Sequence, residues 1–155
     1  MSKLLATPPL AALSRSDFKA WVTVSTRWSD NDVYGHVNNA TYFSYFDTAV
    51  NNWLIDNKLL HINSTDVAQP VGLVVDNHCQ YFAEIHYPQM LELGLRIEHL
   101  GNSSVRYGLG IFVLGDNPTA PAKAQAQFTH VYVNRDTRKP MPLPAPWRAL
   151  LESLT

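Results

Sequence analysis

The sequence predicts an α+β fold, one long helix wrapped by a curved antiparallel sheet of five strands. Three observations carry this. Tyr42, Tyr45, Phe46, Ala49, Val50, Trp53 and Leu54 recur at i, i+3, i+4, i+7, i+8, i+11 and i+12, one wide apolar stripe on a helix. Leu91, Leu93, Leu95 and Ile97 alternate with Glu92, Gly94, Arg96 and Glu98, the period of a strand with one buried face. The elements follow in the order strand, helix, four strands, so a single long helix must cover the whole apolar face of the sheet.

Residues 1–17 hold one short apolar run broken by Pro8 and Pro9, and read as a flexible segment. The run is too short for a secretory h-region, and the segment lacks the arginines of an organelle transit peptide. Residues 18–155 read as a single domain, and 46% hydrophobic residues suffice for one core. Phe18 to Trp28 is rich in β-branched and aromatic residues and reads as the first strand. A polar loop precedes the helix, which starts near Ala40 and fades near Asp56-Asn57-Lys58; Phe43 adds apolar surface outside the stripe. Residues 59–70 read as loop and 71–85 as a long strand. Met90 to Leu100 is followed by Gly101-Asn102, the signal of a two-residue hairpin turn. Ser103 to Leu114 alternates Val105, Tyr107, Leu109, Ile111 and Val113 against Arg106, Gly108, Gly110 and Phe112. Lys123 to Val133 is the last strand, with Ala124, Ala126, Phe128 and Tyr132 on one face. Pro140, Pro142, Pro144 and Pro146 then break the chain before a short helix over 147–154. One helix covers such a sheet incompletely and leaves two edge strands, so a homo-oligomer is expected.

A net charge of −1 gives no global attraction for nucleic acid or an anionic membrane. The single cysteine, Cys79, excludes an intramolecular disulfide and fits a reducing compartment; in a strand it reads as a buried structural thiol. No apolar run reaches the length of a membrane span, so a cytoplasmic protein without membrane contact is expected. No G-x-S-x-G elbow is present, which disfavours a serine hydrolase. His61, His78, His86, His99 and His130 show neither HExxH nor clustered ligand spacing, so no metal site is expected. Gly108-Leu109-Gly110 lacks the third glycine of a dinucleotide loop.

The chemistry concentrates in RWSDNDVYGHVNNATYFSYFD, residues 27–47. Asn38 or Asn39 suits the N-cap of the following helix. Free N–H groups at a helix start suit an anion or a developing oxyanion. Gly35 allows a tight turn and close approach of a ligand. A carboxylate held beside such a helix end serves as general base or as nucleophile on a carbonyl carbon. Read this way, Asp30 and Asp32 stand as equals, and both also suit plain capping and turn roles. His36 by itself reads as a loop histidine with a hydrogen-bond partner.

The same stretch resembles the signature of the hotdog-fold acyl-CoA thioesterases of the 4-hydroxybenzoyl-CoA thioesterase-like family. Asp32, Gly35, His36-Val37-Asn38-Asn39, Tyr42 and Asp47 match in order; Asp30 does not. Gly101-Asn102-Ser103-Ser104 resembles the turn before that family's fourth strand, and VYVNRDTRKPMPLP its last strand and exit, so the likeness spans about residues 18 to 147. The resemblance implies a hotdog fold with Asp32 as the catalytic carboxylate and the backbone N–H at Asn39 as oxyanion donor. It implies substrate contacts at Gly35, His36, Asn38, Tyr42 and Ser104, with Asp47 packed beside the site. It implies a site at a subunit interface of a homodimer or dimer of dimers, and hydrolysis of an acyl-CoA to an acid and coenzyme A with no further cofactor. Arg138 and Lys139 are candidates for the phosphates of coenzyme A, and equally read as a solvated basic turn. Two other readings remain on the same fold: a non-hydrolytic acyl-thioester binding protein, and a hydratase or dehydratase using His36.

Overall fold

A computed structural model describes residues 11–155. The elements are β1 (Ala20–Ser25), α1 (Thr41–Asp56), β2 (Val71–Tyr81), β3 (Met90–Leu100), β4 (Ser104–Val113), β5 (Ala124–Val133) and α2 (Ala145–Glu152). The five strands form one sheet in the order β1-β3-β4-β5-β2, with every neighbouring pair antiparallel.

All seven stripe residues of α1 are buried. They meet the inner face of the sheet, made by Leu91, Leu93, Leu95, Tyr107, Leu109, Ile111, Ala124, Ala126, Phe128 and Tyr132. Phe46 and Phe43 lie against Phe128, with ring centroids 5.9 and 6.0 Å away. Period 3.6 on the helix and period 2 on the strands thus bring their apolar faces together.

The sheet is covered on its outer face as well. Phe18, expected to open the first strand, instead folds across Gly94 and Gly110. It meets Trp21 and Phe112 edge-on at 5.9 and 5.7 Å. The Arg15 guanidinium lies over the Trp21 and Phe112 rings and pairs with Glu92 at 2.7 Å. The Leu13 carbonyl accepts the Ala122 N–H at 2.8 Å. The end of the expected flexible segment is therefore tied to the sheet; residues 1–10 lie outside the described residues.

Several boundaries differ from the sequence expectation, four of them for a plain local reason. The first strand stops at Ser25, and Trp28–Asp30 form a 3₁₀ turn because the Asp30 carboxylate reaches back to the Arg27 N–H. The strand expected over 71–85 ends at Tyr81, where the Phe82 and Ala83 N–H groups both turn to the Lys123 carbonyl. The β3–β4 turn is centred on Asn102 and Ser103 rather than Gly101 and Asn102, because the Gly101 N–H already donates to the Ser104 carbonyl at 2.8 Å. The last helix starts at Ala145, with Pro146 in its first turn, where a missing N–H costs nothing.

β1 and β2 are the two edges. β2 is solvent-exposed along most of its length, and its Val75 is 59% exposed.

A Cβ added at Gly94 would stand 2.5 Å from the Phe18 ring, too close for any real contact. Gly94→Ala is therefore expected to destabilise the fold by about 1–3 kcal/mol, the usual cost of overpacking. The shift of the denaturant midpoint measures it, and an unshifted midpoint would mean that Phe18 does not sit there.

Candidate active site

The loop before α1 is organised by Asp30. Its carboxylate accepts the Arg27 N–H (2.7 Å), the Arg27 Nε–H (3.2 Å) and the Tyr45 O–H (2.6 Å), and it is only 3% exposed. Burial alone would raise its pKa. The donors from Tyr45 and Arg27 outweigh burial and hold it below the ordinary 3.8. Its backbone carbonyl accepts the Asn38 N–H at 2.9 Å. Asp30 thus joins the end of β1, the loop and the second turn of α1.

Asp32 is held differently. Oδ1 accepts the Tyr34 N–H at 2.8 Å, and Oδ2 has no donor among the described residues. The Asp32 N–H donates to the His36 carbonyl (3.0 Å), and the Asp32 carbonyl accepts the Gly35 N–H (3.2 Å). This tight turn places Gly35 at φ +87°, a conformation that favours glycine.

Neither candidate asparagine is the N-cap, which is Ala40 without a side-chain cap bond; the turn just before it is held by Asn38. Its Oδ1 accepts the Ala40 N–H and its carbonyl accepts the Thr41 N–H, both at 2.9 Å. The Asn39 N–H finds no partner among the described residues, while the Asn39 carbonyl is fixed by the Tyr81 O–H at 3.1 Å. One N–H at the positive end of α1 is therefore left open and held in place.

Asp32, Tyr34, His36, Val37, Asn39 and Tyr42 line one open cavity of about 450 Å³ together with Tyr81, Phe82, Ala83 and Glu84. Tyr42 and Tyr81 meet edge-on at 4.9 Å. Burial pushes both hydroxyls up to about 12, so both stay protonated at neutral pH. The His36 ring stacks on Tyr34, and its Nε2 lies 3.8 Å from Glu84 Oε1. Residues 81–84 went unnoticed in the sequence. They reach the site because the Ile85 carbonyl accepts the Val37 N–H at 2.8 Å, a link across 48 positions that no local pattern announces.

The other sequence candidates lie elsewhere. Gly35 borders a neighbouring hollow with Trp28, Asn31 and Asp32. Asn38 is engaged at the helix start. Asp47 is exposed and lines a separate cavity with His130. Ser104 sits at the Gly101 turn, and Arg138 and Lys139 are exposed in the turn after β5; none of these lines the Asp32 cavity. Burial pushes the Cys79 thiol up to about 11, which keeps it protonated and unreactive. Among the described residues no group of three or more His, Cys, Asp or Glu is arranged to hold a metal ion, and no helix is long and apolar enough to cross a membrane.

A long helix inside a curled five-stranded antiparallel sheet is the hotdog fold of thioesterases. A model of the thioesterase-like superfamily matches residues 26–151, and the chain belongs to that superfamily. Among solved structures, the PA5185 protein from Pseudomonas aeruginosa strain PAO1 is 43% identical, with a TM-score of 0.86 over 94% of this chain and 97% of that one. Slr0204, a 1,4-dihydroxy-2-naphthoyl-CoA thioesterase from Synechocystis, shares the fold at 24% identity and a TM-score of 0.75, over 86% of this chain and 96% of that one. The YsmA protein of Bacillus subtilis (strain 168) is 26% identical over 125 residues, 81% of this chain and 80% of that protein.

Because Asp30 is held below 3.8 in the fold, its stabilising contribution is fully present above 3.8 and is lost as pH falls through the lower folded value. Tyr45→Phe removes one donor to a buried carboxylate and should cost about 1.5–3 kcal/mol at neutral pH. That difference from the unaltered protein should shrink below pH 3.8. Denaturant unfolding at the two pH values checks it; a pH-independent difference would assign the loss to packing instead.

Proposed function

We propose that the protein is an acyl-CoA thioesterase, with Asp32 as the base or nucleophile and the Asn39 N–H as oxyanion donor. One observation carries the reading: a carboxylate oxygen without a protein donor and a backbone N–H without an acceptor border the same cavity. The thioester carbonyl oxygen would accept the Asn39 N–H. Attack on the carbonyl carbon comes either from Asp32, giving an anhydride that water then opens, or from a water that gives its proton to Asp32. In either route the C–S bond breaks, the sulfur leaves as the coenzyme A thiolate and takes up a proton, and a carboxylic acid remains. Helix-end donors act where negative charge develops, which makes them effective for this step. Membership of the thioesterase-like superfamily supports the reading.

Asp30 is disfavoured as the base because its oxygens are occupied by Arg27 and Tyr45. A hydratase pair is disfavoured because no hydrogen bond joins the His36 ring to the Asp32 carboxylate among the described residues, while His36 Nε2 lies 3.8 Å from Glu84 Oε1. The remaining rival, a binding protein without turnover, is separated by experiment. A cytoplasmic homodimer, formed through the exposed edge of β2, completes the proposal.

A panel of acyl-CoA thioesters with a thiol-reactive dye tests the activity. Asp32→Asn should lower turnover by roughly 10²-fold or more, the usual contribution of a general base, while the melting temperature holds. Full turnover in that variant would sink the assignment, and tight binding without turnover would favour the binding protein. Sedimentation should report a dimer, and Val74→Lys on the β2 edge should shift it toward monomer.

A further inference from the structure

The inner face of β5 carries Ala124, Ala126, Phe128, His130 and Tyr132 in alternation, all buried. His130 is the polar member of this row and only 4% exposed. Its ring lies edge-on to Tyr107 at 5.1 Å. Neither ring nitrogen has a hydrogen bond among the described residues, and Nε2 is fully enclosed. A polar group left in that state is costly, and such a cost calls for an explanation.

A second orphan lies beside it. Arg135 Nε is also enclosed without a partner, and no carboxylate pairs with the Arg135 guanidinium among the described residues. His130 and Arg135 line one cavity of about 310 Å³, with apolar walls from Leu54, Leu60, Val71 and Trp147. Gly72 keeps it open: a Cβ there would stand 3.0 Å from the Tyr132 ring and 3.5 Å from His130 Nδ1. This cavity is not the Asp32 cavity. It lies at the Val71 end of β2 and the other at the Tyr81 end, and the two share no lining residue.

The unmet charge decides what fits. Asp47 at the rim is exposed and solvated, so it needs no counter-ion. The partly enclosed guanidinium does, and a planar fork of N–H donors matches a carboxylate. Burial keeps the imidazole neutral, against the opposing pull of Asp47, so it presents one N–H. We propose that this cavity binds a small organic carboxylate, paired with Arg135 and hydrogen-bonded by His130, with Gly72 providing the room. The ligand is a free small acid, because the distal carboxylate of a short acyl group held at Asp32 would not reach this second cavity.

The test uses the full-length protein, isotopically labelled at nitrogen, titrated with acetate and with succinate against a chloride control at equal ionic strength. The expected result is a saturable shift of the His130 ring nitrogens and of Arg135 Nε, weakened by about tenfold or more in Arg135→Gln and in Gly72→Val. Arg135→Gln leaves the core intact, so the test stands even where Gly72→Val folds poorly. No saturable shift, a shift that chloride reproduces, or binding unchanged in Arg135→Gln would overturn the proposal. Absence of all thioester hydrolysis would defeat the proposed function and leave the binding result standing.

Discussion

The buried carboxylate of Asp30 holds the functional end of the molecule together. Three donors converge on it from Arg27 and Tyr45, and its own backbone carbonyl accepts the Asn38 N–H. One residue therefore fixes the turn after β1, the start of α1 and the angle between them. A buried charge with its partners in place is tolerated, whereas losing the Tyr45 donor weakens its support by about 1.5–3 kcal/mol. Asp32, two residues on, inherits its position from this arrangement but none of its bonds. Two acids of the same type are thus separated by environment: one saturated with donors and buried, the other left with an oxygen facing a cavity.

The sheet supplies the rest of the frame. Its inner face packs on the α1 stripe, and its outer face is sealed where Phe18 lies across two glycines that have no side chain to oppose it. The chain leaving β2 is carried back to the site loop by the bond between Val37 and Ile85. The wall of Tyr81 to Glu84 is built this way, opposite Asp32 and Asn39. The other end of β2 frames the second cavity, where His130 interrupts an otherwise apolar row.

Much of the fold was legible because it rests on periodicity. The seven stripe residues from Tyr42 to Leu54 are all buried, and the alternation of β3 and β4 reads off directly as inner and outer faces. Element ends were less legible, because each depends on one hydrogen bond: Asp30 to the Arg27 N–H, Phe82 and Ala83 to Lys123, Gly101 to Ser104. The place of His130 in the buried row was not legible because a polar residue there reads as an exception to the period, and only packing shows that the row continues through it.

For the candidate site, the sequence by itself determined that carboxylates, a glycine and asparagines stand directly before a helix, and a motif resemblance pointed to Asp32 and Asn39 among them. These are local facts, fixed by spacing along the chain. Only the tertiary structure decided that Asp30 is consumed by Tyr45 and Arg27, that Ala40 rather than either asparagine takes the N-cap, and that Tyr81 to Glu84 line the Asp32 cavity while Asp47 lies in another one. Those outcomes depend on which hydrogen-bond donors and apolar surfaces arrive from distant parts of the chain, and chain spacing does not encode their arrival.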